Sequence, residues 1–120
     1  MDNLWFSFDY GSVHFVSLNS ESSFPESPSG PGTHLNATDF GGSVYAQMEW
    51  LQQDLAKASA NRDMTPWIVV SLHRPFYGSG ANSVCDSCRI AFENIINEFG
   101  VDFVFAGHAH SVITYIFIHC

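Results

Sequence analysis

Apolar and polar residues alternate from Trp5 to Tyr10, with Phe6, Phe8 and Tyr10 on one face and Trp5, Ser7 and Asp9 on the other. That period of two predicts a half-buried strand. Gly11-Ser12 is turn-like and Val13 to Leu18 reads as a second strand, so the pair predicts a hairpin. The period then changes. From Ala46 to Ala58, Met48, Leu51, Leu55 and Ala58 share one face while Glu49, Gln53 and Lys57 lie elsewhere, the stripe of a core-facing helix. Trp67 to Leu72 and Val101 to Ala106 are nearly continuous apolar runs, interrupted only by Ser71 and Asp102. Runs of this kind predict strands buried on both faces. Between them, Phe92, Ile95, Ile96 and Phe99 set a helical face over Ala91 to Phe99, with Asp86 or Ser87 to cap its start and Gly100 its end. Strand, helix and strand make a βαβ unit, for which a right-handed crossover is the rule. Val112 to Ile118 is a last strand-like run. The expected class is α/β, a mixed sheet with two main helices.

Residues 19–43 are rich in Ser, Pro and Gly and read as a long surface loop, able to overhang a site. Thr65-Pro66 marks the entry to the Trp67 strand, because the residue before proline avoids helix. A chain of 120 residues makes one domain, and a 46% hydrophobic share excludes a disordered composition. The apolar runs are too short to span a membrane. Four basic residues against twelve acidic give a net charge of −8, which disfavours nucleic acid and anionic membranes as partners. It also disfavours a phosphate substrate unless bound metal ions supply local positive charge.

The chemistry gathers at two strand ends. Trp67-Ile-Val-Val-Ser-Leu-His73 and Val101-Asp-Phe-Val-Phe-Ala-Gly-His-Ala-His110 each run from a strand into histidine. Ligands of such sheets collect beyond the carboxyl ends of the strands. His108 and His110 stand two apart, so in extended backbone both point the same way. Gly107 is expected to let the chain turn where a side chain would obstruct it. His73, His108 and His110 are therefore candidate metal ligands, since neutral imidazole suits zinc, iron and similar ions. His14 falls inside a strand pattern and reads as a satisfied sheet histidine; His34 and His119 lack the strand-end setting.

Cys85-Asp86-Ser87-Cys88 opens the second helix, and three cysteines are present in all, the third being Cys120. The pair reads as a redox-active couple, a local disulfide or two inert thiols, and the spacing alone leaves all three open. Asn36-Ala37-Thr38 is an N-glycosylation acceptor in a loop-like stretch. Met1-Asp2-Asn3 runs at once into a strand pattern without a signal peptide, so the expectation is an intracellular protein or a missing true amino terminus.

Four segments together resemble the purple acid phosphatases, within the calcineurin-like metallophosphoesterases. They are Phe6-Ser-Phe-Asp-Tyr-Gly-Ser-Val-His-Phe-Val-Ser-Leu18, Trp50-Leu-Gln-Gln-Asp-Leu55, Thr65-Pro-Trp-Ile-Val-Val-Ser-Leu-His-Arg-Pro-Phe-Tyr77 and Val101 to His110. The cysteine pair before the second helix looks like the fungal-type branch. The resemblance implies part of a four-layer α/β/β/α sandwich with a two-metal site. His73 and His108 would bind the divalent ion (iron, zinc or manganese), and His110 the ferric ion. The implied reaction is hydrolysis of a phosphate monoester by in-line attack of water activated between two metals. With the sequon it further implies a secreted glycoprotein, in which Cys85 and Cys88 are a candidate disulfide and Asn36 a candidate glycosylation site.

The chain also departs from the family. Its Gly-Asp-x-x-Tyr and Gly-Asn-His ligand segments do not occur, the loop Gly78 to Val84 holds no histidine, and Ser111 to Cys120 replaces an aromatic-x-Arg stretch. The expectation is that residues 1–120 are a single partial domain, the carboxyl-terminal part of a catalytic domain whose amino-terminal half holds the other ligands. Alone it would carry at most one ion and little or no activity, and its uncovered sheet would favour aggregation. The competing reading is a non-catalytic histidine-based metal-binding or structural module.

Overall fold

The hairpin, both helices and the two histidine-bearing strands form, several with shifted ends. The computed structural model describes residues 4–21, 44–78 and 84–108. The elements are β1 (Phe6–Tyr10), β2 (Val13–Ser17), α1 (Val44–Ala60), β3 (Trp67–Leu72), α2 (Asp86–Glu98) and β4 (Phe103–Ala106). They build one sheet in the order β1-β2-β3-β4. β1 pairs antiparallel with β2; β2 with β3 and β3 with β4 are parallel. Gly11, at φ +58°, supplies the left-handed backbone that the tight β1–β2 turn requires.

Parallel neighbours need a crossover, and each helix provides one. Both helices lie on the same face of the sheet. Leu51, Leu55 and Ala58 of α1 and Ala91, Phe92 and Ile96 of α2 share one core with Val16, Ile68, Val70 and Leu72. The opposite face is open, with Phe8 52%, Trp67 50% and Phe105 60% exposed. The expectation of strands buried on both faces is thus corrected: only alternate residues of β3 and β4 meet the helices. The open aromatic side is the face that a second sheet covers in a four-layer sandwich.

The second helix begins at Asp86, five residues before the expected Ala91, and its cap is Cys85, not Asp86 or Ser87. The Cys85 Sγ accepts from the Cys88 backbone N–H at 3.3 Å. At the other end Gly100 (φ +65°) closes the helix as expected, with Val101 N–H bonded to Ile96 O at 3.1 Å. β4 is shorter than the expected Val101 to Ala106 because the Asp102 side chain occupies its start. Asp102 Oδ2 accepts from Ile68 N–H at 2.8 Å and from Arg62 at 3.0 Å. Arg62 also donates to the carbonyls of Pro66 and Gly100, so one guanidinium joins the entries to β3 and β4.

Asp102→Ala would leave the buried Ile68 N–H without its acceptor and take the carboxylate from Arg62. It is expected to lower stability by about 1–3 kcal/mol, with Asp102→Asn recovering part of the loss by keeping an acceptor. Urea unfolding of the three proteins checks this.

Candidate functional site

β3 and β4 run side by side, and Leu72 stands in register with Ala106. The next residues on each strand therefore leave the sheet together. Gly107 N–H donates to His73 O at 3.0 Å, one last rung beyond the ladder. The left-handed residue here is His108 (φ +61°), not Gly107, which corrects the role expected of the glycine. A Cβ on Gly107 would come no nearer to His73 than 3.7 Å, an ordinary contact. A non-glycine residue at positive φ is held there by its surroundings, and such strain concentrates at functional sites.

That backbone brings the two imidazoles together. His108 Nδ1 lies 3.0 Å from His73 Nε2, with ring centroids 4.8 Å apart and planes at 81°. Two nitrogens each about 2.0–2.1 Å from one ion stand roughly 3.0–3.4 Å apart, so the spacing fits two ligands of a single cation. Two imidazoles do not complete a coordination shell. Among the described residues no group of three or more His, Cys, Asp or Glu is arranged to hold a metal ion. His110, the third expected ligand, lies outside the described residues, as do His34, His119 and the sequon at Asn36.

A clamp holds the His73 turn. Arg74 donates to both oxygens of Glu21, at 2.8 and 3.0 Å, and its backbone N–H donates to Ser20 Oγ at 3.0 Å. Burial works against the Glu21 carboxylate, but Arg74 outweighs it and holds the group below the usual glutamate range, with a smaller contribution from His73. Arg74 is raised in turn, chiefly by its bond to Glu21. Asn19 is fixed as well, exchanging two hydrogen bonds with the buried Gln47 of α1. Residues 19–21 are therefore tied to α1 and to the turn after β3; the remainder of the surface loop expected over 19–43 lies outside the described residues.

The clamp escaped sequence reasoning, although a signal existed. Ser20-Glu21 follows β2 as His73-Arg74 follows β3, and parallel pairing of those strands makes their exits adjacent. The cysteine pair lies behind the same turn. Cys85 and Cys88 are joined by a disulfide, both residues are buried, and Cys85 N–H donates to Pro75 O at 2.9 Å. Asp102 and Asp9 are engaged away from His73 and His108: Asp102 accepts from Arg62 and Ile68, and Asp9 pairs with His14.

Parallel strands that each deliver a histidine to one spot define an α/β protein with a strand-end site. The profile of the calcineurin-like phosphoesterases matches residues 3–112, and the chain belongs to that family. Among curated proteins it is 38% identical to an acid phosphatase of Aspergillus ficuum, over 90% of this chain and 21% of that protein. It is 40% identical to acid phosphatase A of Cryphonectria parasitica, over 89% of this chain and 21% of that one. Purple acid phosphatase 23 of Arabidopsis thaliana is 34% identical over 91% of this chain and 20% of its own length. The chain thus spans about a fifth of the curated relatives it matches. A solved structure of GAP50, the anchor in the inner membrane complex of Plasmodium, superposes with a TM-score of 0.58 at 17% identity, covering 90% of this chain and 32% of that one. That likeness bears on the fold alone.

Proposed function

We propose that this chain is the histidine-bearing part of a purple acid phosphatase-type catalytic domain that hydrolyses phosphate monoesters at a two-metal site. The observation that carries the reading is the 3.0 Å approach of His73 Nε2 and His108 Nδ1 at the ends of adjacent parallel strands. In this reading His73 and His108 hold a divalent ion (iron, zinc or manganese) and His110 belongs to a ferric ion. Such ions, when bound, supply positive charge at the phosphoryl group and activate a water for in-line attack. The chain's own part is to aim the imidazoles: the Glu21–Arg74 clamp fixes the turn after β3, and the left-handed His108 turns its ring back toward His73. With a net charge of −8, the polypeptide needs that local cationic charge to receive a phosphate.

Imidazoles alone suit a ferric ion poorly, because it prefers hard oxygen donors. The remaining ligands are accordingly assigned to a part of the domain beyond these 120 residues. The isolated chain is expected to turn over p-nitrophenyl phosphate below about 1 per second, the lower end of ordinary enzyme rates. A chimera tests the reading itself: this chain replaces the matching fifth of the Aspergillus ficuum acid phosphatase. Hydrolysis by the chimera, abolished by His73→Ala within it, is the expected result. A folded chimera without hydrolysis, or one indifferent to His73→Ala, would overturn it.

We further propose a secretory route, which the Cys85–Cys88 bond supports because disulfides persist in oxidising compartments. Thiol titration of the denatured chain is expected to find one thiol of three before reduction and all three after it. Three thiols before reduction would remove that support.

A further inference from the structure

The sheet carries a second ionisable cluster at the end away from His73 and His108. His14, on β2, is 8% exposed and lies between two carboxylates from different elements. Its Nδ1 is 2.6 Å from Asp9 Oδ1 on β1, its direct cross-strand partner. Its Nε2 is 3.0 Å from Asp54 Oδ2 on α1. Ser7 Oγ, also on β1, donates to the other oxygen of Asp54 at 2.7 Å. The hairpin and the first helix therefore meet at Asp54, through the His14 imidazole and the Ser7 hydroxyl.

The protonation state of that ring follows from its partners. Ionised carboxylates only accept hydrogen bonds, and a neutral imidazole has one donor and one acceptor nitrogen. Only the imidazolium donates to both Asp9 and Asp54. Loss of its proton would set a ring lone pair against a carboxylate oxygen. It would also leave Asp9 and Asp54 without a cation between them. Lys57 of α1 lines the same cleft of about 200 Å³, together with the uncharged Asn61 and Thr65. On the other side, β3 presents Ile68 in register with His14 and carries no titratable side chain.

We propose that His14 is a pH-sensitive latch, closed as the imidazolium and opened by its deprotonation, that ties the β1–β2 hairpin to α1. Burial disfavours the charged ring, but the hydrogen bonds and charges of Asp9 and Asp54 outweigh it, and the net displacement of the His14 pKa is upward from 6.5. The sign follows. A histidine raised in the folded state stabilises fully below the unfolded value of about 6.5. That contribution is lost as pH rises through the raised folded value. The latch is thus shut in acid and released toward the alkaline side, independently of any ion at His73 and His108.

The test is an NMR titration of the wild-type chain with hydrogen exchange at each pH. His14 is expected to titrate above pH 6.5, with protons on both ring nitrogens below its midpoint. Hairpin amides, corrected for intrinsic exchange, are expected to lose protection several-fold across the same midpoint. In His14→Gln that protection should be low and flat over the window. A His14 midpoint at or below 6.5, or hairpin protection unchanged across it, would overturn the latch. So would a pH dependence in His14→Gln equal to wild type. The wild-type titration decides the matter even if His14→Gln does not fold.

Discussion

Phe92→Ala is expected to destabilise the fold by about 3–5 kcal/mol, the cost of removing a large aromatic ring from a closed core. Phe92 is fully buried and is the largest side chain so enclosed among the described residues. It sits midway along α2 and shares one buried core with Ile68 and Val70 of the sheet and Leu51 and Leu55 of α1. That core is built by both helices and the sheet together. A core held by packed regular elements collapses only partly around a void, which puts the change toward the upper part of that range. Natural domains have about 5–15 kcal/mol in total. Among the described residues only one face of the sheet is buried, so the variant should be largely unfolded at room temperature. Phe92→Leu keeps most of the volume and should cost about half as much or less. Urea unfolding would show the midpoint falling with an unchanged slope. A loss below about 1 kcal/mol would mean that α2 is not seated on the sheet as described.

The sequence made element types plain where one periodicity dominated, and less so where chemistry and packing used the same residues. Phe92, Ile95 and Ile96 announce α2, but Cys88 and Ala91 extend the same stripe backward to the cap. Cys88 reads first as a thiol, and its fully buried side chain shows it acting as a hydrophobe as well. The strand ends carrying His73 and His108 were legible because apolar runs stop there. What joins them was not. The left-handed backbone of His108 has no signature in a histidine codeless for φ, and the preceding glycine drew the inference instead. Glu21 pairs with Arg74 across 53 positions, a separation that local patterns do not cover. The buried Gln47 lies on the inner face of α1, yet a polar residue counts against a hydrophobic stripe until its two bonds to Asn19 are seen.

The open sheet face was misread for a related reason. Continuous apolar runs such as those of β3 and β4 belong to strands covered on both sides. Helices cover one side; Trp67, Phe103 and Phe105 line the other, with half or nearly half of each exposed or more. The composition of the strands thus describes a more enclosed environment than the described residues supply. A chain matching about a fifth of its relatives' length is consistent with that.

His73→Ala is expected to weaken Co²⁺ or Zn²⁺ binding to the chain on the order of 100-fold or more, since altering partners outside the coordination shell already costs about 10–100-fold. The two rings stand 3.0 Å apart, nitrogen to nitrogen, a spacing that suits two ligands of one ion. That makes a sharper prediction than the loss alone. His108→Ala should match His73→Ala, and the double variant should be little worse than either single one, because the first substitution has already broken the pair. Independent sites would instead give losses that add. His14→Gln should leave the affinity unchanged, its ring being committed to Asp9 and Asp54 at the far end of β2. Calorimetric titration with each metal gives all four affinities and the stoichiometry. Full affinity in His73→Ala, or strictly additive losses in the double variant, would remove His73 and His108 from a common site and with them the structural basis for the phosphatase reading.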